Sequence, residues 1–120
     1  MNIVIIDNDR ALLRSLEIIL TGGGHQVLAF DNPVAACSCL QSGGKPDILI
    51  IDYLMPELTG EEVVRRIRKD LPMNCRIYLI SGHTDLIEPL DLKSKGIDGF
   101  LPKPLDIDLL REMLASFPLT

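Results

Sequence analysis

The sequence has no run of lysine and arginine that could form a basic stripe. Twelve basic residues stand against 17 acidic ones, for a net charge of −5. That balance argues against non-specific binding to nucleic acid or to an anionic membrane. Long apolar runs are missing too. The longest are strand-sized, as at Ile48 to Ile51, well below the ~18 residues of a membrane helix. Met1 leads almost directly into such a run, so no signal peptide is expected and the chain reads as cytoplasmic. Cysteine is scarce. Cys37, Cys39 and Cys75 cannot all pair within the chain, and on a helix the first two point in different directions. They read as reduced thiols without a metal or redox role. The chain has no repeat, low-complexity stretch or linker.

What is present is the material of a core. Hydrophobic residues make up 47% of 120 residues, enough for a single domain spanning 1–120. Five short apolar runs punctuate the sequence: Ile3 to Ile6, Gln26 to Phe30, Ile48 to Ile51, Arg76 to Ile80 and Asp98 to Leu101. Most are rich in Ile, Val and Leu on both faces, which suits parallel strands covered on both sides.

Helical patterns fill the intervals. Leu12, Leu16, Ile19 and Leu20 share a helical face that Gly22-Gly23-Gly24 stops. Asn32 before Pro33 reads as an N-cap, with Ala36, Cys37 and Leu40 as the apolar side. Thr59 with Glu62 makes a capping box ahead of Val63, Val64, Ile67 and Leu71. Asp106 caps a last helix that buries Leu109, Leu110, Met113, Leu114 and Phe117. The fourth helix, capped at Thr84 or Asp85 and ended by Gly96, contains Pro89. It is expected to be short, late-starting or distorted. The pattern is α/β, a (βα)₅ doubly wound parallel sheet of flavodoxin-like order 2-1-3-4-5.

The polar residues gather in one place. Asp7, Asn8 and Asp9 follow the first strand, Asp52 the third, Ser81 the fourth and Lys103 the fifth. All sit at carboxyl ends of parallel strands, and ligands of such folds bind outside that edge. Clustered carboxylates without thiols or a histidine set favour a hard cation with oxygen ligands, Mg²⁺ first. Without the ion, their repulsion raises at least one pKa. With it, Asp52 stays ionised and can attack phosphorus. Lys103 would neutralise charge on a transferred phosphoryl group, and the Ser81 hydroxyl can donate to one of its oxygens. Asp9 reads as a helix cap; Asp7 and Asn8 can cap the same helix while binding metal. His25 and His83 read as surface residues.

These residues carry a resemblance over the whole chain. The stretch from Asp47 through Asp52 to Met55-Pro56 and Gly60 is similar to the phosphoacceptor strand and loop of response-regulator receiver (CheY-like) domains. Ser81-Gly82 resembles the switch Ser/Thr followed by a small residue. Phe100-Leu101-Pro102-Lys103-Pro104 resembles the switch aromatic, the lysine and a proline often joined to it by a cis peptide. The resemblance implies a switch rather than an enzyme: phosphorylation of Asp52 by a histidine kinase or phosphotransfer protein, within two-component signalling or a phosphorelay. It implies Mg²⁺ held by Asp7, the Asn8 position, Asp52 and the Leu54 backbone carbonyl, with Asp9 as a further acid. It also implies that Ser81 and Phe100 move together and bias the face of helix 4, strand 5 and helix 5 toward an effector or a second copy. Leu54 and His83 fall at positions that line the approach of water.

One position departs from the family. Asn8 stands where the acid that commonly touches the metal is found, which predicts weaker Mg²⁺ binding. Two alternatives stay open: a phosphorylation-independent interaction module, and a haloacid-dehalogenase-like phosphatase with Asp7 as nucleophile. The latter lacks a cap domain and a later acidic pair.

Overall fold

The computed structural model describes residues 1–72, 74–82 and 89–116. Five strands alternate with five helices: β1 Asn2–Ile6, α1 Arg10–Gly22, β2 Gln26–Phe30, α2 Pro33–Gln41, β3 Ile48–Asp52, α3 Gly60–Ile67, β4 Arg76–Ser81, α4 Pro89–Ser94, β5 Gly99–Pro102 and α5 Ile107–Ala115. The strands are parallel throughout, in the order β2-β1-β3-β4-β5. This is the order expected from the sequence. β3 is buried at every residue and β1 at all but its first, so both are interior strands. β2 and β5 are only partly covered and form the edges.

Alternation along each strand splits the core in two. On one side Val4, Ile6, Leu49, Ile51, Ile77 and Leu79 meet α2, α3 and α4 through Ala36, Leu40, Val63, Ile67 and Leu92. On the other, Ile3, Ile5, Ile48, Ile50 and Leu101 meet α1 and α5 through Leu13, Leu16, Leu20, Leu110 and Leu114.

The helix starts follow local chemistry. Asp9 Oδ1 accepts from the Leu12 amide, and Asn32 Oδ1 accepts from Val34 and Ala35. Thr59 and Glu62 complete the capping box in both directions. Asp106 accepts from Asp108 and Leu109.

Several sequence expectations shift. Asp9 caps α1, so Asp7 and Asn8 do not; the Asp7 carboxylate accepts from the Asp9 amide instead. The buried stripe of α1 is centred on Leu13, which the sequence pattern passed over, while Leu12 and Ile19 flank it. The α5 stripe is narrower than expected: Leu109 is 43% exposed, because Leu110 and Leu114 take the inner face. β1 starts one residue early, at Asn2, and β5 starts and ends one residue late. β3 and β4 each run one residue further, because Asp52 pairs with Ile80 and Ser81 pairs with Pro102. The thiols of Cys37, Cys39 and Cys75 are free. The helix cap expected at Thr84 or Asp85 and the burial of Phe117 fall outside the described residues.

Candidate functional site at the carboxyl edge of the sheet

Strand order reverses between β1 and β3, and the polar residues meet at that edge. Asp7 follows β1 immediately. Its amide donates to the Phe30 carbonyl at 3.0 Å, extending the β1–β2 ladder by one bond, and the residue is 0% exposed. Asp52 is the last residue of β3 and is 6% exposed. Ser81 is the last residue of β4 and is 2% exposed. Lys103 follows β5, and its amide donates to the Ser81 carbonyl at 2.8 Å. The Lys103–Pro104 peptide is cis.

Lys103 Nζ is the hub. It lies 3.0 Å from Asp7 Oδ2 and 3.5 Å from Asp52 Oδ2. The closer partner is Asp7, an ion pair that the sequence reading did not foresee. The signal was available: two strand-end acids share an edge with one lysine. Asp7 Oδ1 is occupied by the Asp9 amide at 2.9 Å. Asp7 Oδ2 is buried and has the lysine at ion-pair distance without hydrogen-bond alignment.

Electrostatics separates the members of the trio. Burial, and then the negative charge of Asp7, push the Asp52 carboxyl up from its ordinary 3.8 to about 6. Lys103 opposes this only in part. Burial pulls the Lys103 ammonium down, yet the two carboxylates outweigh it and hold the group above the usual lysine range. The lysine therefore stays charged at neutral pH, while Asp52 exchanges its proton near the acid end of the physiological range.

The sign follows from linkage. A carboxyl whose folded pKa exceeds the unfolded one stabilises the fold below about pH 4, and that contribution is lost as pH rises through about 6. In metal-free buffer the chain is expected to lose about 1–2 kcal/mol of stability across this window, after allowing for solvent screening. Urea denaturation of Asp52→Asn at a series of pH values checks this: the variant should be the more stable protein at pH 7 and should lack the pH 4–6 slope.

The remaining residues divide. Gly60, at the start of α3, is packed on the site: a Cβ there would lie 2.7 Å from the Asp52 carbonyl oxygen and 3.0 Å from Leu79 Cδ2. Its amide donates to the Tyr53 carbonyl at 2.8 Å. Met55 is buried in the core, whereas Leu54 is 44% exposed beside it. Phe100 is half-buried against the core shared by α2, α3 and α4. Asn8 is exposed at the same turn. Asp9 is exposed too and is spent on capping α1, so the edge assembles two carboxylates rather than three. In keeping with that count, no group of three or more His, Cys, Asp and Glu side chains is placed to hold a metal among the described residues. His25 is less exposed than expected: its Nδ1 lies 3.2 Å from the terminal ammonium of Met1. His83 lies outside the described residues.

The chain is also similar, over nearly its whole length, to proteins of known family and structure. The family model described as "Response regulator receiver domain" matches residues 3–115. Response regulator MprA of Mycobacterium avium (strain 104) is 35% identical over 118 residues, covering 96% of this chain and 48% of that protein. The chain thus spans about half the length of the curated relatives it matches. Among solved structures, a CheY-like receiver domain protein from Methanospirillum hungatei JF-1 superposes with a TM-score of 0.84 at 21% identity, covering 97% of this chain and 92% of that one. Response regulator protein TrrA from Thermotoga maritima, solved in complex with Mg(2+)-BeF, gives a TM-score of 0.81 at 26% identity, covering 98% of each chain.

Proposed function

Because this chain belongs to the response regulator receiver domain family, the receiving module of two-component signalling, we propose that Asp52 accepts a phosphoryl group from the phospho-histidine of a histidine kinase or a phosphotransfer protein. The observation that carries this reading is the shared ammonium. Lys103 reaches both Asp7 and Asp52 at the switch-point edge, where ligands of this fold class bind.

The residues act as follows. An Asp52 oxygen bonds to phosphorus while the nitrogen–phosphorus bond of the donor breaks and its electron pair returns to the imidazole. Lys103 stands against the charge on the transferred oxygens. The Ser81 hydroxyl donates to one of them. Asp7 orients the lysine through the 3.0 Å ion pair and, being fully buried, does not reach the incoming phosphorus. That burial also counts against the phosphatase arrangement, in which Asp7 would be the nucleophile.

The residues present fit a hard divalent cation. Asp7 keeps a buried oxygen without a hydrogen bond, and Asp52, the Asn8 amide and the Leu54 carbonyl are further oxygen donors from the same rim. Mg²⁺ held there supplies neutralising charge to the phosphoryl oxygens. The Mg(2+)-BeF complex of the Thermotoga relative supports this choice of ion. With a neutral amide at Asn8, affinity should be modest. Asn8→Asp is expected to tighten Mg²⁺ binding on the order of tenfold by adding one ligand charge, read by equilibrium titration. No detectable Mg²⁺ binding and no beryllofluoride-induced change in the wild type would instead favour a phosphorylation-independent interaction module.

Residues 1–120 act in this reading as one receiver domain. Once Asp52 is phosphorylated, Ser81 moves toward the phosphoryl group and Phe100 follows. The populations shift toward a form whose α4, β5 and α5 face engages an effector domain, a separate effector or a second copy. Incubation with acetyl phosphate and Mg²⁺, read by intact mass, tests the proposal: the chain should gain one phosphoryl group, and chelation of the metal should prevent it.

A further inference from the structure

A second charged cluster lies away from this rim, and its sign is opposite to that of the chain. Where α3 ends, Arg65 and Arg68 meet Lys95, just past α4, around a hollow of about 110 Å³ that Val64 and Glu61 also line. Lys95 Nζ pairs with Glu61 Oε2 at 3.0 Å. That pair cancels the one acid on the wall. Neither guanidinium has a carboxylate at ion-pair distance among the described residues.

Arg68 is the unusual member. Its Nη1 is buried and makes no hydrogen bond among the described residues. A buried, charged donor left unpaired is costly. The side chain is also held in place. Gly96 has φ +77°, and a Cβ there would lie 3.0 Å from Arg68 Nε and 3.6 Å from Cδ and Cζ, so the Arg68 side chain passes close against the glycine. The neighbouring Cys75 thiol offers no counter-charge, because burial pushes it up to about 12 and keeps it neutral.

The geometry points to a binding site for a compact oxyanion in this hollow, held by the Arg68 fork and flanked by Arg65 and Lys95. A planar guanidinium presents paired N–H donors that match phosphate or carboxylate oxygens. The size selects the class of ligand. About 110 Å³ admits inorganic phosphate or a single carboxylate and is well below the ~300 Å³ at which pockets for larger ligands begin. An anion there ties the end of α4 to the end of α3. Asp52 and Lys103 play no part in it.

Metal-free protein titrated with inorganic phosphate at constant ionic strength, followed through the Gly96 and Ile97 amide resonances, tests the site. The expected result is a saturable shift, weakened at least tenfold in Arg68→Gln, weakened in Arg68→Lys, and unchanged in Lys103→Ala. Acetate in a parallel titration distinguishes the sources: weaker binding than phosphate marks a phosphate site, equal or tighter binding a carboxylate site. Should Arg68→Gln fail to fold, Arg65→Gln and Lys95→Gln, both at exposed positions, must each weaken the wild-type response. A shift that rises linearly with phosphate, or one that survives these substitutions, overturns the proposal.

Discussion

Asp52→Ala is expected to take up no phosphoryl group from acetyl phosphate and Mg²⁺ under conditions in which the wild type takes up one, read by intact mass. The effect should be all-or-none, because the substitution removes the atom that bonds to phosphorus and not a group that only assists it. Lys103→Ala and Ser81→Ala should slow uptake without moving it, since each removes charge or a donor from the transferred group. Asp7→Asn tests the competing assignment. It should slow uptake by loosening Lys103, while the acyl phosphate stays on Asp52. Uptake abolished by Asp7→Asn and retained by Asp52→Ala would make Asp7 the nucleophile and end the receiver mechanism for this chain. Loss of folding does not confuse the result at Asp52, because neutralising that carboxyl, whose pKa burial has raised to about 6, relieves a cost at neutral pH; a circular-dichroism spectrum checks the fold of Asp7→Asn.

Gly60→Ala should be the most damaging of the conservative substitutions near the site. The added methyl group would stand 2.7 Å from the Asp52 carbonyl oxygen and 3.3 Å from Tyr53 Cα. Both are backbone atoms that cannot swing aside, so the start of α3 must back away from β3 and stretch the Gly60–Tyr53 hydrogen bond. We expect a loss of about 2–3 kcal/mol, the upper part of the range for overpacked cores, seen in urea as a lower midpoint at unchanged slope. Phosphoryl uptake should fall as well, because the shifted backbone carries the Asp52 side chain. Gly82→Ala is the matched control: among the described residues no atom lies within 4 Å of a Cβ there, and its stability should stay within about 0.5 kcal/mol of wild type.

Topology was legible because the strand signals were nearly pure. Ile48, Leu49, Ile50 and Ile51 leave β3 nowhere to lie but the centre of a sheet covered on both faces, and the caps at Asn32, Thr59 and Asp106 carry their acceptors in the sequence itself. The strand-end rule then puts Asp7, Asp52, Ser81 and Lys103 on one edge from the sequence alone. What escaped was set by packing. Nothing in the order of residues ranks Leu13 above Leu12 on α1, because the two are adjacent and equally apolar; the tilt of the helix on the sheet decides between them. The same holds for Leu109 on α5. The partner choice of Lys103 is a matter of reach, and only three-dimensional distance makes Asp7 nearer than Asp52. The sequence alone does not single out Arg68, since Gly96, which lies close to its side chain, is far along the chain.

The amide of Lys103 is fastened to the carbonyl of Ser81 at 2.8 Å, and Ser81 sits opposite Pro102 in the ladder. The tips of β4 and β5 are therefore yoked. The main chain of Ser81 cannot travel without dragging the ammonium that Asp7 and Asp52 share. Translation of the loop is thus the expensive movement at this edge.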